Sequence, residues 1–222
     1  MALLWKDFRD RIRRTLDDTS ASVTWSSTEL LDYLDAAMRR LALHTAREVV
    51  WSYTATADTS AVTLPDDILA LGPVWFPDRE LLTPIDLQPG FLFQDATITT
   101  ESLPIGYYRW PGGTLNLTRA LGSGDALTVY YWAYWTPVVE DTDALLVPRW
   151  AVEALEWYIV YRSLTRPGIQ QAMLGQYDSK QDSGHPEHNP LEKYSKYCLL
   201  QFDRILTEYS PQDRSGWDRV IT

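Results

Sequence analysis

Residues 107–135 read YYRWPGGTLNLTRALGSGDALTVYYWAYW, and this stretch decides the fold class. Pro111-Gly112-Gly113 and Gly122-Ser123-Gly124-Asp125 are turn signals set between short apolar runs. They predict strands at Tyr107–Trp110, Thr114–Leu117 and Leu127–Trp135, joined by two successive hairpins into an antiparallel meander. In the last strand Tyr130, Trp132 and Tyr134 point one way, and Tyr131, Ala133 and Trp135 the other. One such face can enter a core. The other then carries large aromatics that need cover from a helix layer, a sugar ligand or another subunit.

Upstream the texture is the same. Trp51–Thr56 alternates with period two, Val62–Leu64 follows a polar turn, and Leu64–Asp67 and Arg79–Leu82 read as shorter pieces of sheet. Residues 54–148 hold nine of the 13 Pro, a density of breakers that suits strands. Trp75, Phe76, Phe91 and Phe93 add to the aromatic excess. Outside this region the period becomes helical. Leu4, Trp5, Phe8, Ile12 and Leu16 line one face of a first helix over Leu3–Leu16. Ser26-Ser27-Thr28-Glu29 has capping-box spacing, with Trp25 and Leu30 placed for a hydrophobic staple. The stripe after it runs through Leu34, Met38 and Leu41 towards Val49, predicting about 20 residues of helix. Pro148 suits a helix start. Trp150–Leu164 is apolar on nearly every side and should be central. A short helix over Gln170–Tyr177, a polar loop over Asp178–Asn189 and a last helix from Pro190 complete the reading. The stripe of that last helix is Leu191, Tyr194, Cys198, Phe202, Ile205 and Tyr209. Helices, strands, then helices make a segregated α+β fold. Residues 1–52 and 148–209 are read as one helical bundle, 53–147 as an inserted antiparallel β-meander domain, and 210–222 as an extended tail.

The 222 residues suffice for one domain or two small ones. Lys plus Arg total 20 against 30 Asp plus Glu, a net charge of −10, which argues against a general nucleic-acid binder. The one cysteine, Cys198, excludes an internal disulfide framework and a Cys-based zinc site. MALLWKDFRDRIRR meets charge too early for a signal-peptide core, and no run is apolar enough to span a membrane. The expectation is a soluble, intracellular, acidic globular protein. Its 10 Trp and 13 Tyr are the residue types that anchor interfaces, so binding outranks catalysis.

The chemical motifs are thin. His185-Pro186-Glu187-His188 is the only histidine cluster; Pro186 opposes a helical presentation and no third ligand is spaced nearby, so a metal-free loop is expected. His44 is read as a packing histidine within the second helix. The pairs Asp17-Asp18, Asp66-Asp67 and Glu140-Asp141 are read as turn and cap residues rather than a carboxylate dyad. Neither glycine cluster has the spacing or context of a phosphate loop. Arg9, Arg11, Arg13 and Arg14 form a basic cluster. It could face phosphate, form a solvated helix face, or pair with a neighbouring subunit. No catalytic residue, cofactor or metal is assigned, and the protein is expected not to be an enzyme.

The ordered set of elements resembles the head-to-tail adaptor (connector) proteins of tailed phages. The similarity is carried by Trp25-Ser-Ser-Thr-Glu-Leu-Leu-Asp-Tyr-Leu-Asp-Ala-Ala, where Asp35 stands in place of the usual Asn. It continues in Ala61-Val-Thr-Leu-Pro-Asp-Asp, in Pro104–Leu117 with its Gly112-Gly113, and in Leu127-Thr-Val-Tyr-Tyr. It closes with Val147-Pro-Arg-Trp-Ala-Val-Glu-Ala-Leu-Glu-Trp-Tyr-Ile-Val-Tyr-Arg. The polar insert 178–189 departs from the family pattern. The resemblance implies a structural virion protein of the neck, below the portal vertex and assembled in the host cytoplasm. Its implied partners are the portal, a tail nozzle, tube or terminator protein, and further copies of itself in a ring, usually dodecameric. Genomic DNA would pass through without sequence-specific contacts, and an acidic channel wall would not hold it.

Two site expectations follow. Tyr130, Trp132, Tyr134 and Trp135 are assigned to a subunit or tail interface. Residues 210–222 lack periodicity yet carry Trp217 between Arg214 and Arg219, then Val220-Ile221, and are assigned to portal docking. The competing reading is an aromatic-rich carbohydrate-binding module of a wall-degrading protein. A hydrolase has only unplaced carboxylates behind it.

Overall fold

A computed structural model describes residues 3–19, 24–56, 59–76, 80–84, 106–110, 113–166 and 190–209. Helices α1 (Trp5–Thr15) and α2 (Ser27–Ala42) come first. Eight strands follow: β1 (Arg47–Thr54), β2 (Thr59–Thr63), β3 (Ile68–Phe76), β4 (Glu80–Leu81), β5 (Thr83–Pro84), β6 (Gly106–Trp110), β7 (Thr114–Leu121) and β8 (Ala126–Ala133). Helices α3 (Arg149–Leu164) and α4 (Pro190–Tyr209) close the described chain. The fold is α+β, as its sequence pattern predicts. Its described residues form two compact units, one from those up to Thr45 and from Trp135 onward, the other from those between Ala46 and Tyr134. The helix read over 170–177 and the loop over 178–189 lie outside the described residues.

In the helical unit, α1 turns Trp5, Phe8 and Ile12 inward, where all three are buried. Helix α2 starts where its cap signal lies, with the Ser26 hydroxyl accepting from the Glu29 amide at 3.1 Å. The Glu29 carboxylate does not fold back on the cap. It accepts from the Tyr33 hydroxyl at 3.0 Å and pairs with Arg166 at 3.2 Å, tying the start of α2 to the end of α3. Helix α2 stops at Ala42, well short of Val49. The β-branched pair Val49-Val50 is instead taken into β1, which pairs with β8 from Arg47↔Ala133 to Thr54↔Ala126 without a break. Eight ladder positions outweigh a helical stripe. His44 therefore sits in the turn after α2, not within it, its amide donating to the Leu41 carbonyl at 2.9 Å.

Helix α3 is central. It packs against α1, α2 and α4, and buries Ala151, Ala154, Leu155, Tyr158, Ile159, Val160 and Leu164. Tyr158 lies 5.0 Å from the Phe202 ring of α4, and the Arg40 guanidinium covers both rings while pairing with Asp203 at 3.0 Å. The basic cluster of α1 is mostly spent on its own chain. Arg9 meets Asp141 and Arg11 meets Glu156, each at 2.6 Å, and Arg13 donates to the Trp25 carbonyl and the Ser27 hydroxyl. Residues 135–148, which the sequence pattern assigns to the β region, belong to this unit. Val138 and Leu145 are in its core, and Leu4 bridges to Ala144.

The β unit holds two four-stranded sheets, ordered β1-β8-β3-β4 and β2-β7-β6-β5. The core between them takes Val74, Phe76, Leu127 and Val129 from the first, and Val62, Tyr107, Leu115, Leu117 and Leu121 from the second. Hairpin β6–β7 forms as expected, from Tyr107↔Leu117 to Trp110↔Thr114. The second hairpin of the expected meander does not: β7 and β8 are in different sheets. At residues 122–125 the chain crosses over instead of folding back. Asp125 caps the Gly122 amide at 2.8 Å, and Gly124, at φ +91°, donates to the Ala55 carbonyl at 2.8 Å. The corner is thereby held to the end of β1, and β8 enters between β1 and β3 with both edges already matched.

Candidate interaction surface

Strand β8 alternates as its sequence demands. Leu127, Val129, Tyr131 and Ala133 are buried, while Tyr130 is 42 % exposed and Thr128 and Trp132 are half-buried. Directly opposed residues of an antiparallel ladder share a face, so the register identifies the whole outer surface. Across from Tyr130 lies Val50, and across from Trp132 lies Glu48, both exposed. On the other side Thr128 opposes Trp75, and Trp75 opposes Leu81 of β4. Val50 is 58 % and Leu81 57 % exposed. One face of this sheet thus carries Val50, Tyr130, Trp132, Trp75 and Leu81 together with Glu48, Ser52, Thr54 and Thr128. Antiparallel sheets ordinarily turn polar residues to the solvent side.

The backbone is fitted to that face. A Cβ on Gly72 would stand 2.9 Å from the Tyr130 carbonyl oxygen and 3.2 Å from the Trp132 ring, so only glycine lets β3 lie against Trp132 here. Strand β3 slips register between Leu71 and Val74 at the same place. Beneath the face, Asp67 accepts from the Tyr131 hydroxyl at 3.1 Å and pairs with Arg47 at 2.9 Å. Burial, then the neighbouring Asp67 carboxylate, raises the Tyr131 pKa above its ordinary value, so the phenol stays protonated and donates.

The four aromatics assigned to an interface part company. Tyr130 and Trp132 lie on the outer sheet face. Tyr134 follows the strand, 36 % exposed, its amide bonded to the Asp67 carbonyl. Trp135 is not on β8, which ends at Ala133, so it does not oppose Trp132 across one strand. It belongs to the helical unit, partly buried against that core, and its indole N–H donates to the Thr45 carbonyl at 2.8 Å. Arg214, Trp217, Arg219, Val220 and Ile221 lie outside the described residues, as do His185 and His188.

A second surface lies on α4. Ser195, Cys198, Phe202, Ile205 and Leu206 face inward. Tyr194 and Tyr209, read from the stripe as core, are 41 % and 50 % exposed. Tyr194 stacks on Tyr197, Tyr197 meets Trp157 edge-on at 5.9 Å, and Tyr209 stacks on Trp150. Leu200, 63 % exposed, stands at the outermost position of the helix. The doublet Leu199-Leu200 beside Cys198 was the available signal, since three consecutive helical residues cannot all face one core.

The paired acids are structural. Asp18, nearly fully buried, accepts from the Thr24 and Trp25 amides. Asp67 pairs with Arg47 and Asp141 with Arg9, and next to the last pair Asp143 accepts from the Glu140 and Val139 amides, which lower its pKa. Among the described residues no three His, Cys, Asp or Glu side chains converge on a metal position, and no helix is long and apolar enough to cross a membrane.

Apolar, aromatic-rich surfaces on both units are the equipment of a structural protein that works through contacts with other macromolecules. The chain matches the model of the SU10 adaptor protein family over residues 4–193, and it belongs to that family of phage head-to-tail adaptors. No curated protein matches the chain. Membership makes it a structural adaptor of the phage particle, a neck component that works with portal and tail components.

Proposed function

We propose that this protein forms a ring beneath the portal, joins portal to tail, and surrounds the path of the genome without chemistry of its own. The observation that carries the reading is the group of large side chains, Val50, Trp75, Leu81, Tyr130 and Trp132, on the outer face of the β1-β8-β3-β4 sheet, on a chain whose family is that of head-to-tail adaptors. A neck component must present surfaces to a neighbour on each side, and exposed Tyr, Trp and Leu supply them. The net charge of −10 supports a wall that DNA slides past. Residues 210–222, with Trp217 between two arginines, supply the portal contact.

Negative-stain imaging of the protein mixed with its purified portal tests this. Ring density stacked on the portal is expected, and deletion of 210–222 should abolish it while leaving a folded protein. A protein that stays monomeric beside the portal would overturn the ring, and a truncated protein that still docks would overturn the tail assignment.

A further inference from the structure

The two sheets of the β unit have four edges, and three of them carry a guard against the addition of another strand. Strand β4 is two residues long, β5 is two residues long and ends in Pro84, and β2 slips register between Thr59 and Ala61. Strand β1 has none of these. It runs eight residues without proline, its ladder with β8 is unbroken, and its two charges sit together at one end.

The corners fix which way its backbone groups point. The Ala55 amide donates to the Asp125 carbonyl and the Ala55 carbonyl accepts from Gly124, so Ala55 faces the β8 side. The Tyr134 amide donates to the Asp67 carbonyl, so even-numbered residues of β8 face β3 and odd-numbered ones face β1. Alternation along the antiparallel ladder then turns Arg47, Val49, Trp51 and Tyr53 towards β8, and Glu48, Val50, Ser52 and Thr54 away from it. These last four direct their amides and carbonyls to the outer edge, and none of those groups has a hydrogen-bond partner among the described residues.

An extended backbone is what satisfies such a row. Residues 213–219, Asp-Arg-Ser-Gly-Trp-Asp-Arg, have the spacing for it. Antiparallel pairing that sets Arg219 opposite Glu48 also sets Trp217 opposite Val50 and Ser215 opposite Ser52. An opposite-charge pair and an aromatic–β-branched pair are favourable cross-strand neighbours. No proline follows Pro211 to interrupt the ladder. Residues 210–212 give about 10 Å of extended chain between α4 and this segment, a tether that a second copy satisfies by approaching with the end of its α4.

We infer that, before the portal is met, residues 213–219 of one copy add to the outer edge of β1 in a second copy as an antiparallel strand. The portal then takes the same tail from that edge. The inference goes beyond the portal reading of 210–222, and the strand pairing stands without it.

The test uses the full-length chain, first without portal. Sedimentation should show a mass that rises with concentration, and over the same range hydrogen exchange should slow at the Glu48, Val50, Ser52 and Thr54 amides. The Val49, Trp51 and Tyr53 amides, bonded to β8, should not change. Ser52→Pro removes an outward amide and none that faces β8, and should weaken association tenfold or more. Arg219→Glu and Glu48→Lys should each weaken it about 3- to 10-fold, and an equal mixture of the two variants should restore it, because the reversed tail meets the reversed edge. If Ser52→Pro fails to fold, the mixture of charge variants decides. Association that persists in all three variants would overturn the inference. Protection of the four amides that ignores concentration would assign the edge to a segment of the same copy and overturn it too, as would a chain that stays monomeric throughout. Added portal should return the four amides to fast exchange; protection that survives it would end the handover and leave the strand pairing.

Discussion

Helix α3 and strand β8 are the central elements of their units, and they are finished differently. Helix α3 is enclosed by α1, α2 and α4, and even its polar Ser163 is buried. Strand β8 is enclosed in the plane of its sheet, between β1 and β3, but only one of its faces is fully buried. The same aromatic residue types serve both. Tyr158 on α3 is held by Phe202 and Arg40, whereas Tyr130 on β8 stands in the open. An element completed within its own chain supplies stability. One half-covered among the described residues offers large side chains for contact.

That contrast can be broken by mutation. Phe202→Ala should cost about 3–5 kcal/mol in chemical denaturation, because a fully buried ring and its contacts with Tyr158 and Arg40 go together. A cost under 1 kcal/mol would mean that the helical unit is less finished than described. Gly72→Val should cost about 1–3 kcal/mol, since the new atoms meet the Tyr130 carbonyl and the Trp132 ring, and it should shift tryptophan fluorescence. Unchanged emission and melting would remove the claim that β3 is fitted to Trp132.

A pH titration sharpens the helical side. Burial raises the Cys198 thiol from 9.0 to about 11. Because the folded value lies above the unfolded one, the contribution is whole below pH 9 and is lost as pH rises towards 11. About 1 kcal/mol should have gone by pH 10, read as the difference in slope between the native protein and Cys198→Ala. Parallel curves would show that the thiol is not sealed. The smallest effect belongs to the open face: Tyr130→Ser should leave monomer stability within about 0.5 kcal/mol. A large loss there would make the face a core surface and end the comparison.

What could be read in advance follows the range of the interactions. The start of α2 was legible because Ser26 and Glu29 settle it locally, and hairpin β6–β7 because Pro111-Gly112-Gly113 does. The end of α2 was not, since the element that terminates it is β8, far along the chain. The crossover at 122–125 was not legible either. Its sequence is that of a hairpin turn, and only the prior partners of β8 divert it. For the surface, alternation exposed Tyr130 and Trp132. Val50, Trp75 and Leu81 join them through a register that includes the irregularity in β3, which no local pattern carries. Trp135 was lost by two residues: just past the end of β8, it falls into the other unit.

The backbone of Trp5 bonds to Asp143, and that of Leu145 to Leu3, so the helical unit is closed by segments that the whole β region separates in the chain. This sets an order of events during translation. At roughly 5–20 residues per second, synthesis needs about 6–25 s to travel from the end of α2 to the end of α3. Throughout that interval the apolar sides of α1 and α2 have no complete α3 to cover them, while the segment 46–134 is finished before α3 begins. The nascent chain is therefore most in need of a chaperone at its earliest-made end.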